Sequence, residues 1–312
     1  MNAAWPEMPY SDWRETLETL QLLTQVVGKV RLALTPWVNH SWQVPLYVSA
    51  RGLTTSPIPA DPEVIELEFD FLDHRLQARS SAGVDASLRL GPQSVAHFYA
   101  GTLELLRSFN IRLTLNERPC ELPDAIPFSQ DRQHRAYDPA AVQRFHRVLL
   151  RADRVLKLFR SGFLGKVSPV HFFWGSFDLA VTRFSGRTAP PHPGGVPGLP
   201  DAVAREAYSH EVSSAGFWPG NASCPEAVFY SYAYPEPPGF STHPLPPGAR
   251  YEPALREFVL PYERVRAATD PDGLLLDFLS ASYRAAADGA DWERALECPL
   301  GVPGRVRPLP GE

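Results

Sequence analysis

One eight-residue run constrains this chain more than any other. From Val64 to Phe71, the apolar residues Ile65, Leu67, Phe69 and Phe71 alternate with Glu66, Glu68 and Asp70. Side chains along a strand point to opposite faces in turn, so such a run buries one face and offers the other to water. It predicts a half-buried strand in an antiparallel sheet. Arg75 to Ser80 and Val84 to Leu90 repeat the pattern more loosely. Their outward residues, with Glu66, Glu68 and Asp70, read as an ordinary solvated surface.

Helices bracket these strands. Trp13, Leu17, Leu20, Leu23, Val27, Val30 and Leu34 recur at spacings of three and four, one helical stripe, behind a capping box of Asp12 and Glu15. An extended stretch from Trp42 to Arg51 follows. A second helix is expected from Ser94 to Phe109, stopped at Asn110, and then a short strand from Ile111 to Leu115. Further on, Asp138-Pro139 opens a helix reaching Ser161, because proline at the first helical position loses no needed donor. Strands are expected over Val170–Phe184, Arg205–Ser213, Ala227–Tyr234 and Arg256–Leu260. The Tyr262–Ala267 segment leads to a last helix, from Asp270-Pro271 to about Gly289.

Helix, antiparallel strands, helix thus occurs twice, which predicts an α+β fold of two similar halves. Residues 1–116 form the first, 117–138 a connector and 139–312 the second. An offset of 132 places Trp42 on Trp174, Arg51 on Arg183 and Pro59 on Pro191, and an internal pseudo-repeat packed as one unit is expected. The second half is longer because of two Pro/Gly-rich loops, 187–200 and 235–253, a length typical of functional lids or linkers.

Of the 312 residues 44% are hydrophobic, enough for a substantial core. Basic and acidic residues number 30 and 35, with no basic block, which excludes nucleic acid as the main partner. No apolar run approaches the roughly 18 residues that cross a bilayer. No cationic-then-apolar leader opens the chain, so a cytoplasmic protein without a membrane partner is expected. Cys120, Cys224 and Cys298 are odd in number, far apart and each beside a proline, neither a disulfide framework nor a zinc pattern.

The second half departs from the solvated pattern. Trp174, Ser176 and Asp178 alternate along one expected strand, Glu206, Tyr208 and His210 along another, and Tyr230, Tyr232 and Tyr234 along a third. If the faces coincide, they form an aromatic wall with a few placed polar groups, the make-up of a small-molecule pocket. His210 is then the candidate acid or base, with Asp178 or Glu206 as partner, since imidazole titrates near neutrality. Trp174, Ser176, Tyr208, Trp218, Asn221, Tyr230 and Tyr232 are candidate ligand contacts, and Arg183 could hold a carboxylate or phosphate. His171, His192 and His210 with nearby carboxylates could ligate a divalent transition metal, although their spacing matches no compact motif. No nucleophile elbow or phosphate loop is present.

The stretches Phe172–Arg187 (FFWGSFDLAVTRFSGR) and Tyr208–Gly220 (YSHEVSSAGFWPG) resemble a bacterial domain-of-unknown-function family of about this length, over most of the chain. The resemblance implies a free-standing bacterial protein and carries over no catalytic residue. Two readings follow. One is a small-molecule-binding protein, an enzyme if His210 serves as acid or base. The other is a non-catalytic binding or interaction protein with the same face buried between the halves.

Overall fold

The computed structural model describes residues 5–307. Met1 to Ala4, part of the segment read above for a leader, lie outside the described residues, as do residues 308–312. The first half opens with α1 (Arg14–Leu34). Strands β1 (Tyr47–Val48), β2 (Gly52–Thr54), β3 (Ile58–Ala60), β4 (Glu63–Asp70), β5 (Arg75–Ser80) and β6 (Asp85–Arg89) follow. They form an antiparallel sheet in the order β1-β2-β4-β5-β6, with β3 also paired to β4. As the alternation predicts, Ile65, Leu67, Phe69 and Phe71 are buried. Helix α2 (Val95–Arg107) closes this half, capped by the Ser94 hydroxyl, and Asn110 beyond it is left-handed (φ 59°).

The second half begins with α3 (Pro139–Arg160), capped by Asp138, whose carboxylate accepts the Ala140 N–H at 2.8 Å. Then come β7 (His171–Phe173), β8 (Asp178–Thr188), α4 (Asp201–Ala207), β9 (His210–Trp218), β10 (Val228–Tyr234), β11 (Arg250–Glu252) and β12 (Glu257–Pro261). Helices α5 (Tyr262–Ala267) and α6 (Pro271–Gly289) complete it. The second antiparallel sheet runs β11-β12-β10-β9-β8-β7. The structure is therefore α+β, with six α-helices and two six-stranded antiparallel sheets among the described residues.

The sheets meet through their first strands. Leu46, just before β1, and Phe172 of β7 exchange both backbone hydrogen bonds, at 2.9 and 2.8 Å. One hydrophobic cluster, with members from Trp5 to Trp292, draws on both halves. Helices α3 and α6 pack on one face of the second sheet. There Phe145, Val148, Leu149, Ala152, Val155, Leu156 and Phe159 are buried, as the helical period requires. No helix among the described residues is long and apolar enough to cross a membrane.

Several expectations are corrected. Asp12 lies in a short 3-10 turn, and Trp13 stands at the α1 N-cap without a side-chain cap bond. Residues 111–115 are not a strand. Glu68 and Asp70 are buried rather than solvated: Glu68 accepts from Ser49 (2.7 Å) and Arg79 (3.1 Å), and Asp70 pairs with Arg51 (2.5 Å). The sheet's outer face is thus roofed by its own arginines. The expected strand at 205–213 is helix α4 up to Ala207 and strand only from His210. The expected strand at 170–184 is two strands, β7 and β8, folded back on each other across a tight turn at 174–177 in which Phe177 is left-handed (φ 63°).

Candidate functional site

That turn resets which residues share a face. Phe173 pairs with Asp178 and His171 with Ala180, so His171 and Phe173 join the Asp178 face, while Phe172 turns into the core beside Leu179. Trp174 leaves the sheet altogether. Its indole lies against Gly28 of α1 and donates to the Val44 carbonyl at 2.9 Å. It is buried between the halves, as the second sequence reading expected of the whole face.

The rest of the face stays together. Register places Ala180, Gly216, Tyr230 and Val259 in one row, and Thr182, Ser214 and Tyr232 in the next. Glu257, two residues before Val259, points the same way by strand alternation. Asp178 is deeply buried and accepts hydrogen bonds from the hydroxyls of Ser176 and Tyr230. Tyr230 reaches it by lying across Gly216: a Cβ there would stand 2.6 Å from the phenol oxygen and 2.1 Å from the Leu179 carbonyl. The Tyr230 and Tyr232 rings stack at 6.1 Å. Tyr232 meets the hydroxyl of Tyr208 at 2.8 Å, and the Thr182 and Ser214 hydroxyls meet at 2.9 Å.

Two loops roof this face. The connector carries Glu121 over the 174–177 turn, where its carboxylate presses on Gly175: a Cβ on that glycine would lie 2.1 Å from Oε1. Glu121 is itself left-handed (φ 60°), and its N–H is held by Pro197 of the 187–200 loop at 2.7 Å. The same loop stacks His192 on Tyr208, with ring centres 4.7 Å apart, and accepts from Tyr234 through the Pro190 carbonyl. A non-glycine residue held at positive φ persists only where its surroundings impose it, and such residues cluster at functional sites.

Three carboxyl groups thus converge. Burial pushes Glu121 and Glu257 up to about 7, and the neighbouring negative charge of Asp178 adds to both shifts. Burial also raises Asp178, opposed by its two hydroxyl donors. Burial holds the Tyr230 and Tyr232 phenols well above their usual range and pushes Tyr208 up to about 12, so all three remain donors at neutral pH. Glu121, Glu257, Tyr208 and Tyr232 are deeply surrounded by protein yet keep part of their surface accessible. Open grooves of about 530 and 340 Å³ lie elsewhere, one between the N-terminal segment and α5, the other beside the end of α2.

The remaining candidates lie apart from these carboxyls. Thr188, which pairs with His210, and Asp178 stand at opposite ends of β8, roughly 30 Å of strand apart, so His210 and Asp178 are not brought together. Glu206 instead receives the backbone N–H of His40 at 2.8 Å. Arg183 is on the opposite face, donating to the Phe159 carbonyl and lying over the rings of Phe159, Phe163 and Tyr283. Asn221 is exposed and accepts the N–H groups of Ser223 and Cys224, which shapes a turn. Trp218 ends β9 on the Gly216 side. His171 is buried among Trp42, Tyr47 and Phe173, and neither ring nitrogen has a partner. His171 and His210 are linked only through the rings of Trp42 and His40, and His192 stacks on Tyr208. No group of three or more His, Cys, Asp or Glu among the described residues is placed to hold a metal ion.

Glu121 and Glu257 are absent from the sequence-derived site. Glu257 was open to detection, because it lies inside the strand expected at 256–260, just ahead of the apolar run Phe258-Val259-Leu260, and shares the face of Val259. Glu121 lies in an aperiodic, proline-bearing connector with no local signal.

The model of a family of unknown function, DUF5996, matches residues 5–298 of the 312. No curated protein and no solved structure matches the chain.

Proposed function

We propose, from the premise that the chain belongs to the DUF5996 family, that it binds a small polar molecule at the roofed face of the second sheet and acts on it by proton transfer. Glu121 and Glu257 are the acid and base, burial holds them near neutrality with Asp178 adding to the shift, and Tyr208 and Tyr232 supply hydroxyl groups while Tyr230 is committed to Asp178. The single observation carrying this reading is the convergence of the three carboxyls from β8, β12 and the connector beneath an ordered loop. Like charges in one site push protons onto one another, and a carboxyl poised near working pH is suited to both giving and taking a proton. The place of His210 as acid or base passes to the glutamates, because its strand register sets it far from Asp178.

The test is carboxyl-carbon NMR of selectively labelled glutamate. Two resonances are expected to titrate near pH 7, one lost in Glu121→Gln and the other in Glu257→Gln. Titration of both near the ordinary 4.5 sinks the reading. Small polar molecules that raise the melting temperature of the wild type but not of Glu121→Gln then identify the ligand class.

A duplication is supported by the meeting of the two six-stranded sheets through their first strands, each led by a long helix. A bacterial, cytoplasmic setting rests on the sequence reading alone.

A further inference from the structure

The other end of β8 gathers a second, independent set of side chains. Lys166, exposed on the segment before β7, places its Nζ 2.7 Å from Nε2 of His40. The other ring nitrogen, Nδ1, lies 3.0 Å from the Ala207 carbonyl. A carbonyl oxygen only accepts, so Nδ1 carries the proton and Nε2 turns its lone pair to the amine. His40 is buried and left-handed (φ 62°), pinned there by the Glu206 carboxylate on its backbone N–H. Trp42 and Phe184 flank the amine, their ring centres 5.1 and 4.9 Å from Nζ. The His210 ring stands edge-on to His40 at 5.7 Å.

A nucleophile within hydrogen-bond reach of a base that is itself oriented by a third group is the general layout of an activated nucleophile. We propose that Lys166 is a carbonyl-reactive amine, with His40 as its base and Glu206 as a positioning residue, and that its ligands are small aldehydes. The ammonium passes a proton to Nε2 of His40. The freed lone pair forms a C–N bond to the carbonyl carbon, and the C=O electron pair moves onto oxygen, which takes the proton back. The carbinolamine then expels that oxygen as water while its nitrogen loses a proton and the C=N bond forms. One water leaves and no electron is transferred.

The surroundings agree with this. Partial burial lowers the basicity of Lys166, with the Glu206 charge opposing, and burial lowers His40, which leaves its ring neutral and the Nε2 lone pair free at pH 7. The aromatic faces act the other way, favouring the cation, so the free amine depends on transfer to Nε2 of His40. The other two lysines provide internal controls. Lys29 is buried and donates to the carbonyls of Asn116 and Arg118, and Lys157 pairs with Asp153 at 2.6 Å.

The experiment treats the full chain with propionaldehyde and cyanoborohydride at pH 7 and maps the alkylated lysines by mass spectrometry over time. Lys166 is expected to react about tenfold faster than Lys157, with Lys29 protected. His40→Asn, chosen because asparagine tolerates a left-handed backbone, should bring Lys166 down to the rate of Lys157. Lys166→Arg should remove that adduct alone. Equal rates at Lys166 and Lys157 in the wild type overturn the proposal, and that comparison decides even where His40→Asn does not fold. None of these readouts involves Glu121 or Glu257, so this inference and the proposed function fail separately.

Discussion

Glu121 combines a left-handed backbone, a buried carboxyl and a nearby like charge. Its carboxyl, raised from the ordinary 4.5 to about 7, keeps a proton in the folded chain that the unfolded chain has released. Folding stability is therefore undiminished below about pH 4.5 and is lost as pH climbs through about 7. Glu121→Gln removes that penalty. It is expected to stabilise the fold at pH 8 by about 1–3 kcal/mol and to change little at pH 4.5, as read from urea unfolding at both values. A loss of stability at pH 8 would show that the carboxylate is held by favourable contacts instead. Asp178, Tyr230 and Tyr232 were legible in the sequence because parity within β8 and within β10 is unbroken. Glu121 was not, because a single left-handed residue and a hydrogen bond spanning 76 positions put it there.

Elements were legible where period and caps agreed. Helices α3 and α6 start where Asp-Pro places them, each with its aspartate accepting the expected N–H. Legibility failed where a short turn intervened inside an apolar run: Gly175-Ser176 is a hairpin signal, but the aromatic residues on both sides continue the run and mask it. The turn also determines how α1 packs, because Trp174 fills the space over Gly28. Alanine is favoured over glycine inside a helix by about 1 kcal/mol, yet a Cβ here would lie 2.2 Å from the indole nitrogen. That indole is anchored to Val44, so overpacking should win. Gly28→Ala is expected to lose about 1–2 kcal/mol in chemical denaturation. A gain would mean that Trp174 repositions freely.

For the whole molecule, two opposed titrations bracket the pH of greatest stability. His171, buried without partners, is pulled down to about 3, so the unfolded chain binds its proton first and stability falls as pH drops below about 6.5. Glu121 and Glu257 act in the opposite sense above about 4.5. Between about pH 4.5 and 6.5 the two glutamates outweigh the one histidine, so these three groups place the melting-temperature maximum near pH 4.5. His171→Phe, which keeps a ring among Trp42, Tyr47 and Phe173, should flatten the acid side, with a gain of about 2 kcal/mol at pH 4.5. A profile unchanged by that substitution would contradict the assignment.

The junction at Leu46 and Phe172 has a consequence for how the chain can be divided. Just beyond that rung, His40 and Trp42 approach from the N-terminal half, while Lys166, Glu206 and His210 come from the C-terminal half. The roofed face likewise borrows Glu121 from the segment between them. Cleavage within residues 122–137 would leave one fragment holding His40 and Glu121 and the other holding every side chain they serve. Neither piece alone is a smaller version of the protein, and only their reassociation restores either group.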